Sequence, residues 1–197
     1  MKIYDITQEL FSCVVFPGDP APQKNTLCSM AKGDLYNLTS FSMCAHNGTH
    51  IDAPSHFIID GKNIDEIELS KLIGYAYVAE HNGFVTLDVA KEILKRAKEQ
   101  GKDAWKKILV KGNATLTLEA SEFFAKEGID LYGNESQTVG PEDAPMAVHK
   151  VLLSAEVVLL EGIRLSDVPE GVYLLCAAPI CLGQCEGAPC RATLIKQ

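Results

Sequence analysis

Cys44-Ala45-His46-Asn47-Gly48-Thr49-His50-Ile51-Asp52-Ala53-Pro54-Ser55-His56-Phe57 places three of the chain's five histidines and one aspartate within fourteen residues. His46, Gly48, His50 and Asp52 occupy even positions, and an extended chain points every second side chain to one face. A strand or strand-like loop here therefore presents His46, His50 and Asp52 together. A helix would also bring His46 and His50 onto one face at i,i+4, but Gly48, Thr49, Ile51 and Pro54 make a poor helix interior. Gly48 leaves the space between the two imidazoles free, which suits a backbone passing close to an ion. Two imidazoles and a carboxylate suit zinc, manganese or iron. No fourth ligand is visible locally, so at least one coordination position stays open for water, as in a hydrolytic site.

The rest of the sequence frames this stretch as part of one globular domain over residues 1–197. The chain has 197 residues with 47% apolar and 22% charged content, enough to bury a substantial core. Met1-Lys2-Ile3-Tyr4-Asp5 carries no signal-peptide apolar region. No apolar run approaches the ~20 residues that cross a bilayer, so a cytoplasmic protein without membrane partners is expected. A net charge of −8 and no Lys/Arg cluster argue against nucleic acid, because such binding draws on cation contacts to phosphate. A small molecule is the remaining class of partner.

Seven cysteines is an odd number, and reduced thiols in a reducing compartment are the economical expectation. Cys176, Cys181, Cys185 and Cys190 cluster near the C-terminus with four, three and four intervening residues. That spacing matches neither paired zinc CxxC motifs nor a common iron–sulfur pattern, which points to buried thiols.

Taken in order, Ile3 to Ile6 alternates as a first strand, and Phe16-Pro17-Gly18-Asp19-Pro20 is turn chemistry for a loop near the site. Leu38 to Cys44 is a β-prone run that should put the histidines at or just beyond a strand's end. Ile64, Ile67 and Leu72 are apolar points in a polar segment before a strand at Gly74 to Ala79. The spacing predicts a helix over Leu87 to Lys98, with Thr86 as N-cap and Gly101 following. A second helix runs from Leu118 to Lys126 between Thr117 and Gly128. Asp143 is placed to cap a third, with Pro145 in its first turn and Met146, His149, Leu152 and Leu153 on one face. Further strands are expected at Ile108–Val110, Ile129–Gly133, Val157–Glu161, Gly171–Ala178 and Ala192–Ile195.

His46 to Phe57 resembles the HxGTHxDxPxHF signature of the putative cyclase family, which includes the bacterial kynurenine formamidases. The resemblance extends to Tyr4-Asp5-Ile6-Thr7, to Phe16-Pro17-Gly18-Asp19-Pro20, similar to the family's YPGDP turn, and to Glu186-Gly187-Ala188-Pro189-Cys190-Arg191-Ala192, similar to its closing GxPxRA segment. It implies an α/β fold of the swivelling β/β/α type, a mixed sheet with outer helices, assembled as a homodimer or homotetramer. Val148-His149-Lys150-Val151-Leu152-Leu153 and Leu159-Leu160-Glu161-Gly162-Ile163 match two further family positions, so the implied metal ligands are His46, His50, Asp52, His149 and Glu161. Five ligands and a water exceed zinc's usual four. The set implies either two zinc ions sharing a carboxylate or one higher-coordinate ion such as manganese. His56, just downstream, takes the implied role of general acid and base.

The implied function is metal-dependent hydrolysis of a small amide, an arylformamide such as N-formylkynurenine or a cyclic amide or imide. An isatin- or lactone-type ring hydrolase is the alternative within enzymes, and a metal-binding member without activity the alternative outside them. The chain departs from the family at Gly112 to Thr117, a shorter stretch than usual, and at Gly133-Asn134-Glu135-Ser136-Gln137, which replaces Gly-x-Asp followed by Ser. Both departures fall where substrate contacts are expected.

Overall fold

The computed structural model describes residues 1–196. Its strands are β1 (Lys2–Asp5), β2 (Gln23–Cys28), β3 (Leu38–Ser42), β4 (His50–Asp52), β5 (Ile73–Glu80), β6 (Gly83–Val85), β7 (Lys107–Lys111), β8 (Ala114–Leu116), β9 (Leu131–Asn134), β10 (Val158–Glu161), β11 (Gly171–Cys176), β12 (Gly187–Pro189) and β13 (Thr193–Lys196). The helices are α1 (Leu69–Leu72), α2 (Leu87–Glu99), α3 (Leu118–Glu127) and α4 (Met146–Ser154). Nine strands form one mixed sheet in the order β1-β13-β11-β5-β7-β9-β10-β4-β12, and β2–β3 and β6–β8 form two small pairs.

The sheet's centre is parallel, from β5 through β7 and β9 to β10. Such strands are buried on both faces, which is why Ile108-Leu109-Val110 and Val158-Leu159-Leu160 are continuous apolar runs. Their parity divides the core. Ile108, Val110, Tyr132 and Leu159 pack with Ile93, Leu94, Phe124 and Leu152 of the helices. Leu109, Leu131, Val158 and Leu160 join a second cluster that also takes Ile51 and Ala188 from one end of the sheet and Leu194 from the other. This cluster runs across one face of the sheet from end to end.

Helices α2 and α3 form where the pattern predicts them, with Thr86 and Thr117 accepting from the backbone N–H of Val89 and Ala120. Gly128 closes α3 at φ +74°, a left-handed value that glycine adopts freely. Helix α4 differs from expectation. It begins at Met146 behind Pro145, with no side-chain cap, so Asp143 does not cap it. Met146 is exposed, and the buried face is Val148, His149, Leu152 and Leu153.

The run before the histidines also departs from its reading. Strand β3 ends at Ser42 and, among the described residues, pairs only with β2, with its residues exposed. His50 and Asp52 sit on a separate strand, β4, inside the main sheet. Between them Gly48 turns the chain at φ +69°, so the extended run does not reach back to His46. A Cβ on Gly48 would press Cys13 at 3.2 Å and not the imidazoles; the glycine serves the turn.

Candidate metal centre

Strand β4 sets the first two donors. Ile51 points into one core cluster, so His50 and Asp52 point together to the opposite face, where α4 lies. Strand β10 pairs antiparallel with β4 and places Glu161 across from His50. Leu160 faces the same cluster as Ile51, so Glu161 shares the face of His50 and Asp52. Helix α4 supplies His149, whose Nε2 lies 3.1 Å from Glu161 Oε1 and 3.6 Å from Asp52 Oδ2. His46 enters from the 44–48 turn, with Nδ1 2.8 Å from Asp52 Oδ1. Asn47 braces that turn by accepting the Cys44 N–H on its Oδ1 at 2.9 Å.

All five residues thus meet, in two sets. His46, His50 and Asp52 bring ligand atoms within 4.8 Å of one another, and so do Asp52, His149 and Glu161. Asp52 belongs to both. The four residues other than His46 are at most 3% exposed, and burying carboxylates and imidazoles at this density is unfavourable unless charge is compensated. His50 Nε2 and Asp52 Oδ2 are buried without a hydrogen bond. Nitrogen and carboxylate oxygen donors gathered into these two sets, two of them without a hydrogen bond, fit divalent cation binding.

The surroundings fix the rings. His50 Nδ1 and Gly48 O lie 3.1 Å apart and His149 Nδ1 and Pro145 O 2.9 Å apart. Each carbonyl can only accept, so each ring keeps its proton on Nδ1 and turns the Nε2 lone pair inward when neutral. The Val139 N–H donates to Glu161 Oε1 at 2.8 Å. Without a cation, burial opposes the charged form of His50, but Asp52 and Glu161 outweigh it and push the ring up to about 10. His149 rises to about 9 against the same burial, chiefly through Glu161. Burial also opposes charge on Asp52, yet His46 and His50 hold the carboxyl well below its usual range.

His56 stands apart from both sets. It ends a short 3₁₀ turn, Pro54–His56, and its ring stacks on His46 with centroids 4.1 Å apart. Burial pulls its pKa below the ordinary imidazole value, so it is neutral at pH 7 and can accept a proton.

A cavity of about 240 Å³ opens over this cluster, lined by His46, His50, His56, His149 and Glu161 together with Phe16, Asp19, Cys44, Phe57, Gln137, Thr138 and Pro145. The Phe16–Pro20 turn is therefore at the site, as its position in the sequence suggested. Gln137 and Thr138 had no signal beyond lying in or beside a segment that departs from the family pattern.

The family model described as Putative cyclase matches residues 4–141. The chain belongs to this cyclase family. A family relative, the kynurenine formamidase of Erythrobacter litoralis (strain HTCC2594), is 30% identical over 98% of this chain and 93% of its own length. A solved structure described as a potential metal-dependent hydrolase with cyclase activity is 28% identical, covers 98% of this chain and 96% of its own, and superposes with a TM-score of 0.80. An isatin hydrolase bound to the product analogue thioisatinate shares the cyclase fold at TM-score 0.82 and 19% identity, covering 100% of this chain and 93% of its own.

Proposed function

We propose that the protein is a metal-dependent hydrolase of small amides, acting on an arylformamide such as N-formylkynurenine or on a cyclic amide or imide. The observation that carries this reading is the pair of ligand sets joined at Asp52 beneath an aromatic-lined cavity. His46, His50 and Asp52 would hold one divalent ion and Asp52, His149 and Glu161 a second, or all five would hold a single ion of higher coordination. Zinc is the preferred metal and manganese the alternative. When bound, the metal lowers the pKa of water toward ~7 and polarises the substrate carbonyl. Phe16 and Phe57 flank the cavity and hold the aromatic ring of the substrate. His56, neutral at pH 7, takes a proton from the attacking water and returns it to the nitrogen as the C–N bond breaks, giving a carboxylic acid and an amine from an amide, or a carboxylic acid and an amide from an imide.

The same reading covers residues 1–197 as a single cytoplasmic domain that assembles as a homodimer or homotetramer. Among the described residues no helix is long and apolar enough to cross a membrane. The test is hydrolysis of N-formylkynurenine and of a cyclic imide by purified protein, before chelation, after it, and after re-addition of zinc or manganese. Activity that disappears with chelation and returns with one metal is expected. Activity on neither substrate with full metal, or activity indifferent to chelation, would contradict the reading.

A further inference from the structure

Of the three histidines in the ligand sets, His46 is held the other way round. The rings of His50 and His149 turn Nδ1 to the carbonyls of Gly48 and Pro145. The ring of His46 instead turns Nδ1 to Asp52 Oδ1 at 2.8 Å and Nε2 to Glu186 Oε1 at 3.3 Å. Glu186 is in neither ligand set and immediately precedes β12. Its backbone is fixed beside the cluster, because its carbonyl accepts the Ala53 N–H at 2.8 Å and the next residue, Gly187, lies opposite Asp52 in the ladder. The missing side chain of Gly187 gives the ring its place: a Cβ there would come within 2.6 Å of His46 Cε1, the atom between the two nitrogens. The Glu186 side chain is 45% exposed against 12% for His46, so the carboxylate stands at the solvent rim of the cluster and the ring lies between it and Asp52.

We infer that Glu186 is a positioning residue for the metal centre: it accepts the Nε2–H of His46 and so turns the Nδ1 lone pair of that ring toward the ligand set. This rests on the metal-dependent reading above and adds a residue to it. A neutral imidazole carries one N–H and one lone pair, and a carboxylate can only accept. With Nε2 facing a carboxylate, the proton belongs on Nε2 and Nδ1 is left as the donor to a cation. Asp52 cannot fix that choice in the loaded site, since it is itself a donor to the ion. Among the described residues Glu186 is the one hydrogen-bond partner of His46 Nε2. An acceptor behind a ligating imidazole typically contributes about 10–100-fold in metal affinity. Water and salt screen the half-exposed Glu186, which puts its share at the lower end, about tenfold. The ring it holds is also the one on which His56 stacks at 4.1 Å, so the same contact sets the surface against which the proton carrier rests.

The experiment records long-range proton–nitrogen correlations of the imidazoles in isotopically labelled, zinc-loaded protein, which tell a protonated ring nitrogen from a metal-bound one. In wild type His46 should be protonated on Nε2 and bound through Nδ1, with His50 and His149 the reverse. His46 protonated on Nδ1 would overturn the inference. Zinc affinity, measured by competition with a chromophoric chelator, should fall about tenfold in Glu186→Ala. It should stay within about threefold of wild type in Glu186→Gln, which keeps an acceptor oxygen and gives up the charge. Both variants should fold, because the side chain is half exposed, and an unchanged circular dichroism spectrum checks this. Unchanged affinity in Glu186→Ala would make Glu186 a bystander, and equal losses in both variants would mean that only its charge matters; either overturns the inference and leaves the metal-dependent reading standing. Wild type that takes up no zinc would overturn both.

Discussion

The rings of His46 and His56 stack, with centroids 4.1 Å apart and planes inclined by 29°. One stacked ring belongs to a candidate ligand set and the other does not, so the contact puts a neutral proton acceptor beside the cluster without adding it to the coordination sphere. His56→Ala should keep its full metal content and lose on the order of 10²–10⁴ in turnover, the range for a removed proton-transfer group. Metal analysis and rate on the same preparation decide it. Loss of metal in parallel with activity would move His56 among the ligands.

The titration of the metal-free cluster has a definite sign. His50 at about 10 and His149 at about 9 lie above the ordinary 6.5. Their contribution to the stability of metal-free protein is therefore complete below pH 6.5 and is lost as pH rises through 9 to 10. Chelated protein should melt at a lower temperature at pH 10 than at pH 7. Loading zinc at pH 7 must displace these protons, about two per chain, measurable by calorimetry in buffers of different ionisation enthalpy. Uptake without proton release would contradict the assignment of these rings as ligands.

Gly187 is held on β12 opposite Asp52, and a Cβ there would lie 2.6 Å from His46 Cε1 and 2.9 Å from Ile51 O. The ladder with β4 prevents the backbone from retreating, so the imidazole must move. Gly187→Ala should weaken the set containing His46 and spare the set containing His149, lowering metal content toward half. Full occupancy at unchanged affinity would mean that His46 is not a ligand.

All seven cysteines are free. A thiol assay on denatured, non-reduced protein should count all of them. Three disulfides in protein prepared without added oxidant would contradict both the structure and the reducing compartment proposed for the chain.

How far the sequence carried the fold depends on where each signal resides. Helices α2 and α3 were legible because Thr86, Thr117 and Gly128 cap them locally and their apolar stripes are periodic. The short strands β2, β6, β8 and β12 carry no such local pattern: each is defined by its partner, as Gly187–Pro189 is by β4. Even-position parity correctly joined His50 to Asp52, and His46 does meet them, but by the turn that Gly48 makes at positive φ and not by an extended run. His149 and Glu161 were recognisable only through resemblance, since no local pattern records that α4 and β10 converge on β4. Asp143 looked like a cap, yet Pro145 precedes the first helical residue. The contact between Glu186 and His46 spans 140 residues, and nothing in the neighbourhood of either announces it.

Asp52 belongs to both ligand sets, so both depend on that shared carboxylate. The most direct test is elemental analysis of metal per chain in wild type and in Asp52→Ala, purified in parallel with zinc supplied. Wild type should carry about two ions, as a carboxylate-bridged pair requires, and Asp52→Ala close to none, with a lower melting temperature because the metal no longer stabilises the fold. Full metal occupancy in Asp52→Ala would contradict the site and the hydrolytic mechanism built on it.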